Sequence, residues 1–210
     1  MVVMKYSSKE TAEKTEMLRV VRDEVFNLKT SPLYEYREKN HYHPVIGEGD
    51  HDAALMFIGE APGRNEAEKG RPFCGASGKI LDSLMDSIGL TREKVYITNI
   101  IKDRPPENRD PFPDEIALYA PFLDKQIDII EPKVIATLGR FSMRYILQKF
   151  NIPESGQSIS SLHGKVFDTE ARYGKIKIVP QYHPAASIYN RATLEELKKD
   201  FLVLKTLLGT

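Results

Sequence analysis

Ala53-Ala54-Leu55-Met56-Phe57-Ile58-Gly59 runs without a charge straight into Glu60-Ala61-Pro62-Gly63. An uncharged run of strand length, stopped by Gly and Pro, reads as a strand buried on both faces. Three further segments share the pattern: Lys94–Ile101 (KVYITNII), Lys133–Gly139 (KVIATLG) and Lys175–Val179 (KIKIV). Between and after them the apolar period lengthens, predicting helices over Ser77–Ile88, Pro113–Ile130, Arg140–Phe150 and Thr193–Leu208. In the second, Ile116, Ala120, Leu123, Ile127 and Ile130 share one helical face. The last opens on a capping box of Thr193 and Glu196 and would bury Leu194, Leu197, Phe201 and Leu204. Strands alternating with helices imply parallel pairing and right-handed crossovers. The expected fold is therefore α/β, a three-layer α/β/α sandwich with a central four-stranded parallel sheet.

Upstream of this pattern, Ser8–Asn27 is amphipathic, with Leu18, Val21, Val25 and Leu28 at helical spacing. It leads into a turn-rich, aromatic arm over Ser31–Asp52. Residues 1–210 thus read as one domain, with 1–52 as N-terminal helix and arm. A chain of this length buries roughly 70% of its unfolded surface, so it needs no disulfide or structural metal. Its one cysteine, Cys74, rules out an internal disulfide, a Cys-based zinc knuckle and an all-cysteine iron-sulfur cluster, and points to a reducing cytosol. No apolar run approaches the ~18 residues of a membrane span, and Met1–Glu10 lacks a secretory pattern. Lys+Arg (30) balance Asp+Glu (30), so any polyanion site must be a local patch.

In parallel sheets, ligands bind beyond the carboxyl ends of the strands. Four loops converge there: Gly59–Glu66 with Gly70–Gly78, Thr98–Arg109, Leu138–Arg140 and Pro180–Ser187. The first is rich in Gly and presents Phe73 as a flat stacking surface. It matches neither the Walker loop nor the dinucleotide fingerprint; ordinary strand-to-helix turns are the alternative. Asn99 ends a buried strand, where a carboxamide can both donate to and accept from a nucleobase edge, or merely cap the strand. His183 is placed to donate to charge developing on a ligand oxygen, or is structural. Glu60 and Glu66 are candidates to orient a water or support a cationic centre, although Glu66, with Glu68, also reads as solvated surface. Lys102, Arg104, Arg109 and Arg140 would form a cationic rim for phosphates, scattered surface charge being the default for each one singly.

Taken in order, Gly59-Glu60-Ala61-Pro62-Gly63 with Glu66, Gly70-Arg71-Pro72-Phe73 with Gly75, Asn99 with Lys102, Arg104-Pro105-Pro106 with Asn108-Arg109, Pro132-Lys133 to Leu138-Gly139, and His183-Pro184-Ala185-Ala186 form a single motif set. It resembles that of the uracil-DNA glycosylase superfamily, closest to its family 4, from about Val45 to Asn190. The resemblance implies a monofunctional DNA repair enzyme that removes uracil from DNA and leaves an abasic site. It implies that Phe73 stacks on the flipped base and Asn99 reads its polar edge. Gly59, Ala61 and Gly63 would supply backbone contacts, and Glu60, with Glu66, would position water or support the sugar cation. His183 would donate to uracil O2. Asn108 joins Lys102, Arg104, Arg109 and Arg140 as a DNA contact.

The sequence departs from the family in two places. Family 4 typically holds a four-iron cluster on four cysteines, and the matching positions here are Asp23, Phe26, Asp103 and Ala120. A cluster-free protein with no cofactor or metal is the expectation, its arm held by packing of Leu33, Tyr34, Tyr36 and Tyr42. At Ser187 the family usually has a larger apolar residue to plug the vacated stack; Ile188 is the candidate substitute. No insertion resembling the covalently acting branch follows Arg109, so ordinary turnover is expected. The partner is uracil-containing DNA and the expected location cytoplasmic or nucleoid-associated, with no membrane association and a monomeric state. A catalytically silent DNA- or partner-binding protein of the same fold, or a glycosylase for another deaminated or mismatched base, is the alternative.

Overall fold

The structure, a computed structural model, describes residues 8–209, and most of Met1–Glu10 lies outside that range. Helix α1 (Ser8–Phe26) is followed by a short α2 (Tyr34–Lys39) and a two-residue strand β1 (Glu48–Gly49). Then come β2 (Leu55–Gly59), α3 (Arg64–Lys69), α4 (Ala76–Ser87), β3 (Tyr96–Asn99), α5 (Pro113–Ile130) and β4 (Val134–Leu138). The chain closes with α6 (Arg140–Lys149), α7 (Ile159–Leu162), β5 (Phe167–Ala171), β6 (Gly174–Gln181) and α8 (Arg191–Leu208).

The sheet order is β1-β3-β2-β4-β6-β5. The four expected strands β3, β2, β4 and β6 are parallel, but they are the centre of a mixed six-stranded sheet. Strands β1 and β5 add antiparallel edges, which corrects the purely four-stranded expectation. Both edges are hard to read for a physical reason. β1 is two residues long, and β5 (FDTEA) alternates half-buried with exposed positions and carries two acids, the charged, blunted character that protects a sheet edge from further pairing.

Along β2 the side chains alternate between two cores. Met56 and Ile58 pack with residues of α1, α5 and α6, whereas Leu55 and Phe57 pack with α4 and α8. Phe57 lies flat against Phe201 of α8, with ring centroids 5.7 Å apart, and burying either ring contributes about 2–3 kcal/mol. Helix α8 buries Leu197, Phe201 and Leu204 as expected, with Leu194 partly covered. Its start differs: Asn190 is the cap, its Oδ1 accepting from the Thr193 amide at 3.2 Å. Asn is as good a cap as Thr, and Glu196 is instead ion-paired with Lys199.

The chain runs from β2 to β3 on one side and then crosses back to β4 on the other, so strand order reverses beside β2. The crevice beyond these strand ends is where such sheets hold ligands.

The arm is more ordered than a loop. Leu33 is buried, and the Tyr36 and Tyr42 rings meet at 6.0 Å. Its strongest tie is polar: Arg37 is 4% exposed and pairs at 3.2 Å with Asp103, 1% exposed. Arg37 also donates to the carbonyls of Val25 and Phe26 at the end of α1, at 3.3 and 2.9 Å. Tyr119 of α5 donates to Asp103 at 2.5 Å and lies 2.7 Å from the Ser31 hydroxyl. One guanidinium therefore ties α1, α2 and the segment after β3 together.

Candidate active site

The crevice holds a cavity of about 310 Å³ whose walls include Glu60, Glu66, Phe73, Asn99 and His183. Its floor follows from pairing. Gly59 faces Asn99 in the β2–β3 register, and the Ile100 and Ile101 amides donate to Gly59 and Glu60 carbonyls at 3.1 and 3.0 Å. A Cβ on Gly59 would collide with Asn99 Oδ1 and come within 2.7–2.8 Å of the Phe73 ring. Glycine is what lets the carboxamide and the ring converge. The ring itself sits on a left-handed backbone, φ 48°, which costs a non-glycine residue about 1 kcal/mol or more. Arg92 stabilises that turn by donating to the Pro72 carbonyl at 3.0 Å and to that of Phe73. Glu48 and Asp82 hold Arg92 at 2.5 and 2.7 Å.

Asn99 is only 2% exposed, and its carboxamide makes no hydrogen bond to any described residue, while its backbone carbonyl accepts from Lys102. That removes the capping alternative. A carboxamide that opens only onto the cavity keeps both its donor and its acceptor free to pair with whatever enters. His183 stacks on Phe73, centroids 5.6 Å apart. Its Nδ1 accepts from the Ala185 amide at 3.1 Å, so the neutral ring carries its proton on Nε2. Burial drops the His183 pKa to about 4, and the imidazole is a neutral donor at ordinary pH. Glu60 is the converse. Burial, with help from the nearby Asp110 charge and against the pull of Arg140, raises its carboxyl to about 7.

Glu66 is buried, not solvated surface. Its Oε1 accepts from the Gly75 amide at 3.0 Å, tying together the two halves of the glycine-rich segment and leaving Oε2 beside Gly63. Ala61, Gly63, Asn108 and Arg109 also line the cavity. Ser77, Pro105 and Ala185 join them; Pro105 and Ala185 belong to the motif set, but none of the three was given a role, because each is a small or turn residue that acts only by its place.

The cationic rim needs correction. Lys102 is 0% exposed; its ammonium turns inward, and burial pulls its pKa well below the ordinary lysine value. It cannot touch phosphate. Arg104 is also buried, donating to Asn108 Oδ1 and the Tyr42 hydroxyl at 2.7 Å each, so it braces the loop. Asn108 is occupied as its acceptor. Arg109 reaches the cavity but forms a two-pronged pair with Glu115 at 2.8 and 2.6 Å, and Arg140, at the surface, pairs with Asp110. Carboxylates thus offset the two accessible cations. Ser187 is buried, its hydroxyl donating to the Pro184 carbonyl at 2.8 Å, and it cannot enter a base stack. Ile188 is exposed beside it, and the next ring, Tyr189, is 99% exposed.

The cluster positions do not fit an iron-sulfur group. Phe26 and Ala120 have no ligand atom, and the Asp103 carboxylate is committed to Arg37 and Tyr119. Among the described residues no group of three or more His, Cys, Asp or Glu is placed to hold a metal ion. No helix among them is long and apolar enough to cross a membrane.

Residues 46–205 match the family model described as the uracil DNA glycosylase superfamily. The chain is 44% identical over 193 residues to a type-4 uracil-DNA glycosylase of Sulfurisphaera tokodaii, covering 91% of this chain and 85% of that one. It is 43% identical to a type-4 uracil-DNA glycosylase of Saccharolobus solfataricus, covering 92% and 87%. To one from Archaeoglobus fulgidus it is 44% identical, covering 83% and 85%.

Proposed function

The chain belongs to the uracil DNA glycosylase superfamily, and from that premise we propose that it is a DNA repair glycosylase that hydrolyses the N-glycosidic bond of deoxyuridine in DNA. The products are uracil and an abasic site. Extruding the nucleotide costs a few kcal/mol, offset by stacking of the base on Phe73 and by pairing of its polar edge with Asn99.

As the bond from C1′ to N1 breaks, its electron pair leaves with the uracil and a cation develops on the sugar. His183 Nε2–H donates to uracil O2, where the negative charge gathers. A neutral imidazole suits this role, because it is fixed before the reaction and gives up no proton. Glu60, ionised above about pH 7, faces the cationic sugar and takes a proton from the water that attacks C1′. Glu66 holds the loop that carries them. Arg109 and Arg140 are the cations left to meet phosphates, and the exposed Ile188 is the side chain that follows the flipped base into the stack. Without cluster ligands, the arm relies on the Arg37–Asp103 pair. The enzyme works as a monomer wherever the cell's DNA is.

The observation that carries this reading is the unpartnered Asn99 carboxamide, set against the Phe73 ring in one cavity with His183. A uracil-containing oligonucleotide, incubated with the protein and then treated with alkali, tests it. Strand scission at the uracil is expected, and its near-complete loss in Asn99→Ala at an unchanged melting temperature. An intact strand after long incubation with micromolar wild-type protein refutes the activity and leaves a silent DNA-binding protein. Scission at another deaminated base in preference to uracil would reassign the substrate.

A further inference from the structure

Lys102 sits three residues beyond Asn99 and is buried on all sides. Its Nζ donates to the Asn99 backbone carbonyl at 2.7 Å, to Thr98 Oγ1 at 2.8 Å and to Gln126 Oε1 at 2.5 Å. These partners are fixed in turn. Gln126 donates its amide to the Ile46 carbonyl at 2.9 Å and to the Tyr96 hydroxyl at 3.1 Å, which orients its oxygen toward Lys102. Thr98 Oγ1 donates to the Ile46 carbonyl at 2.6 Å, so it can only accept from the lysine. Four oxygens therefore surround Nζ, three of them within 2.8 Å and the Ile46 carbonyl at 3.5 Å.

A buried lysine without a carboxylate is an expensive way to hold a turn, since water solvates ammonium far better than neutral oxygens do. What distinguishes this turn is the residue it grips. The Asn99 carboxamide has no protein partner to orient it, so its direction is set only by its backbone and by the ring above Gly59.

We propose that Lys102, cradled by Thr98 and Gln126, is a positioning residue for base recognition: by gripping the Asn99 carbonyl it fixes the angle at which the carboxamide meets the uracil edge. The inference rests on the uracil-excision reading. It deepens that reading by assigning part of the specificity to a side chain that never touches substrate. With the grip lost, the carboxamide can swing toward the reversed donor and acceptor pattern of cytosine, so selectivity falls together with rate.

Single-turnover excision on uracil- and cytosine-containing single strands, for wild type, Lys102→Met, Asn99→Ala and the double variant, tests it. Lys102→Met is expected to slow uracil excision about 100-fold, the scale of a misplaced reacting geometry, and to narrow the preference for uracil over cytosine. In the Asn99→Ala background, the same substitution should change the rate by less than about threefold, because two residues acting as one unit are not additive. Should Lys102→Met fail to fold, Gln126→Met removes a single acceptor and must show a smaller loss with the same non-additivity. Wild-type rates in Lys102→Met or Gln126→Met, or losses that multiply in the double variant, overturn the proposal while leaving the activity in place. An inactive wild type removes the activity and the proposal together.

Discussion

Replacing Arg37 by Met isolates the polar tie between α1, α2 and the segment after β3. The guanidinium donates to both Asp103 oxygens, at 3.3 and 3.2 Å, and to two carbonyls at the end of α1. Without it, the buried carboxylate keeps only the Tyr119 hydroxyl as donor. Breaking a buried pair in this way costs about 3–5 kcal/mol. For a chain of this size each kcal/mol moves Tm by about 2–4 °C, so the variant should melt on the order of 10 °C lower at pH 8. The loss must also depend on pH. Burial already raises the Asp103 pKa against the opposing pull of Tyr119 and Arg37, and removing the arginine raises it further. Because the folded acid takes up its proton at a higher pH than the unfolded one, whose pKa is about 3.9, the orphan charge fades as pH falls toward 4 and the deficit shrinks. Adding Asp103→Leu should recover most of the lost stability, since an apolar pair leaves nothing unpaired. Thermal melts at pH 8 and pH 4 decide it. An Arg37→Met variant within about 2 °C of wild type at pH 8, or a deficit undiminished in acid, refutes the reasoning.

Four further outcomes follow from the same geometry. Glu60, raised to about 7, favours the protonated folded state, a contribution that is full below about pH 4.5 and lost as pH rises through 7. Glu60→Gln should therefore stabilise the fold by on the order of 1–2 kcal/mol at pH 8.5, after allowing for its partial exposure, and by nothing at pH 4. Wild-type excision should climb as pH rises through about 7, and a rate flat over that range would exclude the ionised carboxylate from the reaction. His183→Ala should lose roughly 100- to 1000-fold in single-turnover rate; with the pKa of His183 at about 4, no break from this residue should appear between pH 5 and 8. Purified protein should be colourless, and iron or sulfide bound at cluster stoichiometry would contradict the donor set at Asp23, Phe26, Asp103 and Ala120.

Much of the fold was legible because apolar periodicity is local. The four central strands and helix α5, with bounds Pro113–Ile130, follow from runs such as LMFIG and from the spacing Ile116, Ala120, Leu123, Ile127. The edges β1 and β5 were not, since a sheet edge is by design short or charged. At the site, the roles of Glu60, Phe73, Asn99 and His183 came from the motif set, and all four line one cavity. Lys102 was misread because nothing in its neighbours' identity says whether a lysine faces water. Gln126 and Thr98, which turn it inward, lie on different elements. Arg37 was passed over for the same reason, as one charge in a turn-rich, aromatic arm.

Sequence alone determined which strands are buried, where their carboxyl ends gather chemistry, and that cysteine ligands for a cluster are lacking, because these depend on residue type and on spacing within one element. Only the tertiary structure decided which charges are paired, buried or free. It turned Lys102 from a phosphate contact into a grip on Asn99 and put the Arg37–Asp103 pair between α1 and the core. A side chain's electrostatic role is set by partners distant in sequence and by its access to water, and neither is written in its local context.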